Sequence, residues 1–247
     1  WGSTVIGQLG LGHTMTVGDE SPHSLSTVVL GGAAVAVSAG WWHTCALLEG
    51  GLIRCWGRND DGQLGLGHNR TVGDDEQPSS TSPVALGGAA VAVSAGGAHT
   101  CALLEGGLIR CWGRNAAGQL GIGHTDSVGV NTFPNISSTV LVGEIASFIS
   151  TGWAFTCALL YNNELRCWGD NSHGQLGLSH RLGVGDNERP DSQPMVLTPE
   201  RILATTTGAD NVCTLTNGNG ILCWGRNHVG QLGLGHTLTI GDDELPS

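Results

Sequence analysis

The chain has 247 residues, with ten Lys plus Arg against twenty-one Asp plus Glu for a net charge of −11, and 41 glycines but only 5% aromatic residues. The acidic balance weighs against nucleic acid and anionic membranes as partners, since both are bound through clustered cations. The length suits one repeat-built domain, 1–247, and the glycine content suits many tight turns between short strands.

In chain order, a half unit comes first, Trp1 to Pro22 (about 1–22), where Trp-Gly leads into GQLGLGH and the acidic pair Asp19-Glu20. Four fuller units follow, at about 23–78, 79–134, 135–190 and 191–247. Each starts on an alternating apolar run such as VAVSAG (Val91 to Gly96), then HTCALL, a Gly or Asn turn, GLIRCWG, and GQLGLG with a polar loop closing near Pro. Trp-Gly recurs at Trp1, Trp56, Trp112, Trp168 and Trp224, at spacings of 55, 56, 56 and 56. A constant period of this kind marks a repeat architecture.

Short β-rich runs separated by turn residues predict antiparallel strands joined by hairpins, and no window holds the 3.6-residue apolar period of a helix. The predicted fold is all-β, with β-propeller blades of about four antiparallel strands. GGAAVAVSAG at Gly31–Gly40 returns unchanged at Gly87–Gly96, and CALLEGGLIRCWGRN at Cys45–Asn59 returns at Cys101–Asn115, as recent duplication of a module leaves them. Both ends carry the Trp-Gly half, Trp1 to Pro22 and Trp224 to Pro246, whereas closure by the termini needs complementary halves. The expectation is part of a larger propeller, or an array completed by neighbours.

All eight cysteines fall in i, i+10 pairs: Cys45 with Cys55, Cys101 with Cys111, Cys157 with Cys167, and Cys213 with Cys223. With the turn centred on Gly50, Cys45 faces Cys55 and Leu47 faces Ile53, and a facing, non-hydrogen-bonded pair brings its β-carbons within disulfide reach. The same centring falls on Gly106, Asn162 and Gly218, residue types that accept positive φ. Zinc is the competing use of paired cysteines, but it favours Cys-x-x-Cys spacing and four converging ligands. The reading is four hairpin staples, each adding about 3 kcal/mol in the chain-entropy picture. Disulfides in every unit imply an oxidising compartment, and the sequons Asn69-Arg70-Thr71 and Asn135-Ile136-Ser137 agree with glycosylation there.

The aligned units share G-x-x-H-T-C-A-L, C-W-G-R-N and G-Q-L-G-x-G-H with a terminal Pro, as in Gly96, His99, Ala102-Leu103, Trp112-Gly113, Asn115 and Gly118-Gln119-Leu120-Gly121. Over essentially its whole length the chain resembles the regulator of chromosome condensation repeat family, in a secreted, cysteine-bearing variant. The resemblance implies a β-propeller, usually of seven blades. It also implies family roles that include nucleotide exchange on a small GTPase and protein binding by secreted β-lactamase inhibitors. The chain departs from the pattern at Phe155 and Asn211, which replace the motif histidine, at Asp170 where other units have Arg58, Arg114 and Arg226, and in the loop HTDSVGVNTFP, which lacks the acidic cluster.

The acidic loops Asp74-Asp75-Glu76, Asp186-Asn187-Glu188 and Asp242-Asp243-Glu244 raise calcium as a ligand for Asp74, Asp75, Glu76, Asp242, Asp243 and Glu244, against the plainer reading of solvated turns. No other metal or cofactor is implied. His13, His68, His124, His180 and His236 read as local loop anchors, and His43 and His99 as structural. The repeated Trp reads as packing between blades, and Gln8, Gln63, Gln119, Gln175 and Gln231 as bonding backbone at a bend. Trp41, Trp42 and Trp153 are unit-specific aromatics, candidates to anchor a partner or to fill space between blades. No nucleophile, base and acid stand together as an active site would require, so no catalysis is expected.

The function favoured at this level is an extracellular structural or adhesive repeat protein, a module of a cell-surface or filamentous assembly whose partners include copies of itself. A secreted protein-binding propeller, an inhibitor or receptor module, comes second. Exchange on a small GTPase ranks third, because the cysteine pairs fit a nuclear or cytosolic location poorly. No membrane span is expected, and glycans are expected on the surface.

Overall fold

The computed structural model describes residues 5–15, 17 and 27–246, so Trp1, Asp19, Glu20 and Pro22 of the leading half unit lie outside the described residues. The chain divides into two compact units, one made of residues 1–105, 110–114 and 127–139, the other of 106–109, 115–126 and 140–247.

In the first unit, β1 (Ala34–Ala39), β2 (His43–Leu48) and β3 (Ile53–Gly57) form an antiparallel meander. The copy β4 (Ala90–Ala95), β5 (His99–Leu104) and β6 (Ile109–Gly113) forms a second, extended at its outer edge by β7 (Thr139–Val140). In the second unit, β8 (Ala146–Thr151), β9 (Phe155–Leu160) and β10 (Leu165–Gly169) make one blade, and β11 (Ile202–Thr207), β12 (Asn211–Thr216) and β13 (Ile221–Gly225) another. Each innermost strand carries the same register shift near its start, at Val35, Val91, Ser147 and Leu203, a β-bulge that adds local twist.

Three strands per blade are long, and the expected fourth is reduced to a trace. It is β7 in the second blade, the Val196 to Leu165 bridge in the third, and in the first the single bond from the Val84 N–H to the Ile53 carbonyl at 2.9 Å. These closing residues come from the stretch that a division of the sequence at 79, 135 and 191 assigns to the following unit. Arg54, Arg110 and Arg166 fasten that edge: their guanidinium groups donate to the carbonyls of Pro78, Pro134 and Pro190, where the chain makes a single helical turn.

The hairpin centring holds, with Cys45 opposite Cys55 and Leu47 opposite Ile53. The turn residues differ from expectation in the second unit. Gly50 and Gly106 do adopt positive φ (82° each), but in the later blades the left-handed residue is Asn163 (67°) or Asn219 (63°), one position beyond the centres Asn162 and Gly218. A three-residue loop places its left-handed residue last, and asparagine takes that conformation at little cost.

The blades interlock through one joint. The buried indole N–H of Trp112 donates to the Gln63 carbonyl at 2.9 Å, and Thr100 donates to the same oxygen at 2.8 Å. Trp56, Trp168 and Trp224 make the equivalent bond to Gln8, Gln119 and Gln175. Burying an indole stabilises by roughly 4 kcal/mol from apolar area alone, and its one polar atom is paired. Gly57 next to Trp56 has φ 107°, and a β-carbon there would sit 2.5 Å from the Trp42 carbonyl, so only glycine lets β3 pass the β1–β2 loop.

Candidate functional site: the loop rim of the blades

All eight cysteines are joined as expected, Cys45 to Cys55, Cys101 to Cys111, Cys157 to Cys167 and Cys213 to Cys223, with Cα separations of 4.0 to 4.1 Å. Three pairs are buried, while both sulfurs of Cys213–Cys223 belong to half-exposed residues. The staples are structural and leave no thiol for metal or catalysis.

After β3 the chain turns through a loop organised by a buried asparagine. The Asn59 side-chain oxygen accepts from the Leu64 N–H at 3.0 Å, and its amide donates to the carbonyls of His68 and Arg70 at 2.7 and 2.9 Å. Asn115, Asn171 and Asn227 repeat the pattern. Within the same loop Gln63, Gln119, Gln175, Gln231 and Gln8 accept backbone N–H groups two residues before them. Each loop histidine accepts the N–H two residues after it: Arg70 for His68, Asp126 for His124, Leu182 for His180, Leu238 for His236 and Met15 for His13. These polar side chains are absorbed by the loop backbone. His43 is buried, 2.8 Å from the Thr100 hydroxyl, and burial lowers its pKa to about 4. His99 is buried at the corresponding place in the second blade.

In each of the two acidic groups, Asp74-Asp75-Glu76 and Asp242-Asp243-Glu244, the carboxylate oxygens lie within 4.8 Å of one another. Crowding shows in Glu76, pushed up to about 7 first by partial burial and then by Asp75 and Asp74. Glu244 is raised for the same reasons. The second group is already engaged, since Arg181 pairs with Asp242 and Glu244 accepts the Gly241 N–H at 3.2 Å. Glu188 accepts from Gly185 in the same way, so the acidic loop has a capping role even where no cluster forms.

The three unit-specific tryptophans reach solvent. Trp41 and Trp42 are 57% and 39% exposed and Trp153 is 40% exposed, all in the loop between the first two strands of a blade. Beside Trp42, the Arg58 N–H donates to the Trp42 carbonyl at 2.9 Å, and its guanidinium pairs with Asp60 at 2.7 Å. In the third blade Asp170 holds the Arg58 position and bonds Ser172 and Gln175. Sequence reasoning passed over Arg54, Arg110 and Arg166, whose signal was their recurrence in IRC and LRC, and over Asp60 and Asp61, which differ from the Ala pair in the next copy. Asn69 and Asn135, the sequon residues, are both exposed. Among the described residues no helix is long and apolar enough to cross a membrane.

The sequence pattern of the Regulator of chromosome condensation (RCC1) repeat matches residues 34–63, 90–119 and 146–175, and a second form of it matches 51–103. The chain belongs to the regulator of chromosome condensation repeat family. Within the curated family relatives, Ultraviolet-B receptor UVR8 of Arabidopsis thaliana is 34% identical over 209 residues, 81% of this chain and 43% of the receptor. The secretion-regulating guanine nucleotide exchange factor of Bos taurus is 31% identical over 170 residues, 69% of this chain and 34% of that protein. The chain thus spans less than half the length of these relatives. Its fold is that of the solved family propellers. Human WBSCR16 aligns with a TM-score of 0.77 at 22% identity, covering 99% of this chain and 61% of that one. Yeast RCC1 (Prp20), solved with Kap60, aligns at 0.70 and 21%, covering 100% and 57%.

Proposed function

We propose that this chain is a disulfide-stapled segment of an extracellular RCC1-type propeller that binds a protein partner through its rim loops, without catalysis of its own. The observation that carries the reading is the solvent exposure of Trp41, Trp42 and Trp153, indoles at unit-specific positions of one repeat loop. Exposed aromatics of this kind supply the anchors of protein interfaces. Four disulfides and two exposed sequons support an oxidising, secretory location. The test is affinity capture from extracellular fluid of the source, comparing the native chain with W41G/W42A and W153G variants by quantitative mass spectrometry. A protein retained by the native chain and lost from the variants supports the reading; identical profiles overturn it.

A second reading, a module of a surface or filamentous assembly, is favoured by the valines of β1, Val35 and Val37, which stand exposed on a strand face. It predicts association that grows with concentration in sedimentation, and a chain that stays monomeric at high concentration goes against it.

A further inference from the structure

From Gly31 to Gly65 and again from Gly87 to Gly121 the chain writes the same 35-residue block with four exceptions. Trp41 and Trp42 stand against Gly97 and Ala98, and Asp60 and Asp61 against Ala116 and Ala117. The block makes the same three strands in both versions, so folding does not call for the four residues. They also gather in one place. The loops that carry them meet at Arg58, whose N–H holds the Trp42 carbonyl and whose guanidinium holds Asp60. Exposed tryptophans serve as anchors of interfaces, and here two stand in the loop whose Trp42 carbonyl Arg58 ties to the loop of Asp60 and Asp61.

We propose that Trp41, Trp42, Asp60 and Asp61 form a docking site for the Lys or Arg side chains of a basic protein segment. Tryptophan offers the strongest aromatic face for a cation, and a carboxylate alongside it supplies directed hydrogen bonds. Arg58 occupies part of Asp60, which leaves Asp61 and the open side of Asp60 to receive an incoming cation. A net charge of −11 draws such a partner toward the surface. The third blade carries only part of this pattern: Trp153 sits in the equivalent loop and Asp170 replaces the arginine, its N–H donating to the Ala154 carbonyl at 2.9 Å and its carboxylate bonded to Ser172 and Gln175, while Ser172 and His173 stand at the Asp60 and Asp61 positions. The fourth blade has Ala209 and Arg226 at those positions and lacks it.

This site rests on the protein-binding reading above and adds the chemistry of the partner. The test uses the full chain and the variant W41G/W42A/D60A/D61A, which installs residues the second copy already folds with; matching circular dichroism verifies this. An oligo-arginine peptide, a Gly-Ser peptide of the same length and a neutral malto-oligosaccharide are titrated by calorimetry and indole fluorescence. The expected result is binding of oligo-arginine alone, with indole quenching, weakening as salt rises, and about tenfold weaker in the variant. Equal affinity of native chain and variant assigns the binding to diffuse acidity and overturns the site. Equal binding of the Gly-Ser peptide or the sugar overturns the cationic chemistry, as does no binding of oligo-arginine. If oligo-arginine fails while capture of a protein still depends on Trp41 and Trp42, the cationic site falls and the protein-binding reading stands. If both fail, both fall.

Discussion

The strands β1 and β4 have the same six residues, AVAVSA, and different surroundings. β4 is partly covered: its Ala95 N–H donates to the Ser38 hydroxyl at 3.0 Å, and Ala90 and Ala95 are buried. All of β1 except Ser38 is exposed. Identical sequence gives an identical strand with the same bulge, yet the burial of that strand is decided by what lies against it. Stability in this repeat therefore resides in the joints more than in the strands, as the nearest-neighbour picture of repeat proteins holds.

The largest test of that view is the joint that covers the second blade. Trp112→Ala removes the buried indole and its bond to Gln63, and should cost about 4 kcal/mol in denaturant unfolding. A cost near that of an exposed residue would show that the joint carries little.

The next is acid. The folded chain holds His43 neutral down to about pH 4, while the unfolded chain takes up the proton near 6.5, so this contribution is full above 6.5 and is lost as pH falls toward 4. The loss should approach roughly 3 kcal/mol, and His43→Phe, the type found at Phe155, should flatten the profile. An unchanged pH profile in the variant would remove His43 as the cause.

A finer comparison sets Gly65→Ala against Gly233→Ala. Both glycines hold positive φ, 70° and 73°, and share a backbone cost of about 1 kcal/mol. Only at Gly65 would the new β-carbon meet Trp112, 2.8 Å from its indole nitrogen, whereas no described residue lies within 4 Å at Gly233. The first variant should be the less stable by about 1–2 kcal/mol, and equal stability would mean that the joint yields freely.

The smallest effect is one of rate. Cys213–Cys223, half exposed, should open to limiting reductant before the buried Cys101–Cys111, as alkylation and peptide mapping would show. Simultaneous opening would mean that global unfolding, not local access, governs reduction.

Much of this was legible in the sequence, and for a definite reason. A hairpin is local, so the symmetry of Cys45 and Cys55 about Gly50 displays its pairing directly. The loop roles of Gln63 and His68 were legible too, since their partners lie two residues away. What was hidden depends on distance along the chain. The bond from Arg54 to Pro78 spans 24 residues, the Trp112 bond to Gln63 spans 49, and the fourth strand shrinks to a bridge made by the next unit. The rim was half visible: Trp41, Trp42 and Trp153 stand out as departures from the repeat, but their exposure, and the way Arg58 holds both the Trp42 carbonyl and the Asp60 carboxylate, follow from how the loops close.

The Gln63 carbonyl has one further consequence. It receives the indole of the following blade, and each blade presents the same pair of half-joints, an acceptor carbonyl in one loop and a donor indole one repeat later. Such a coupling has a direction and is indifferent to count. Inserting or deleting a whole 56-residue period leaves every remaining joint chemically unchanged, so unequal recombination can lengthen or shorten the gene without a compensating mutation. New specificity then needs only a few changed letters in the loops of one copy.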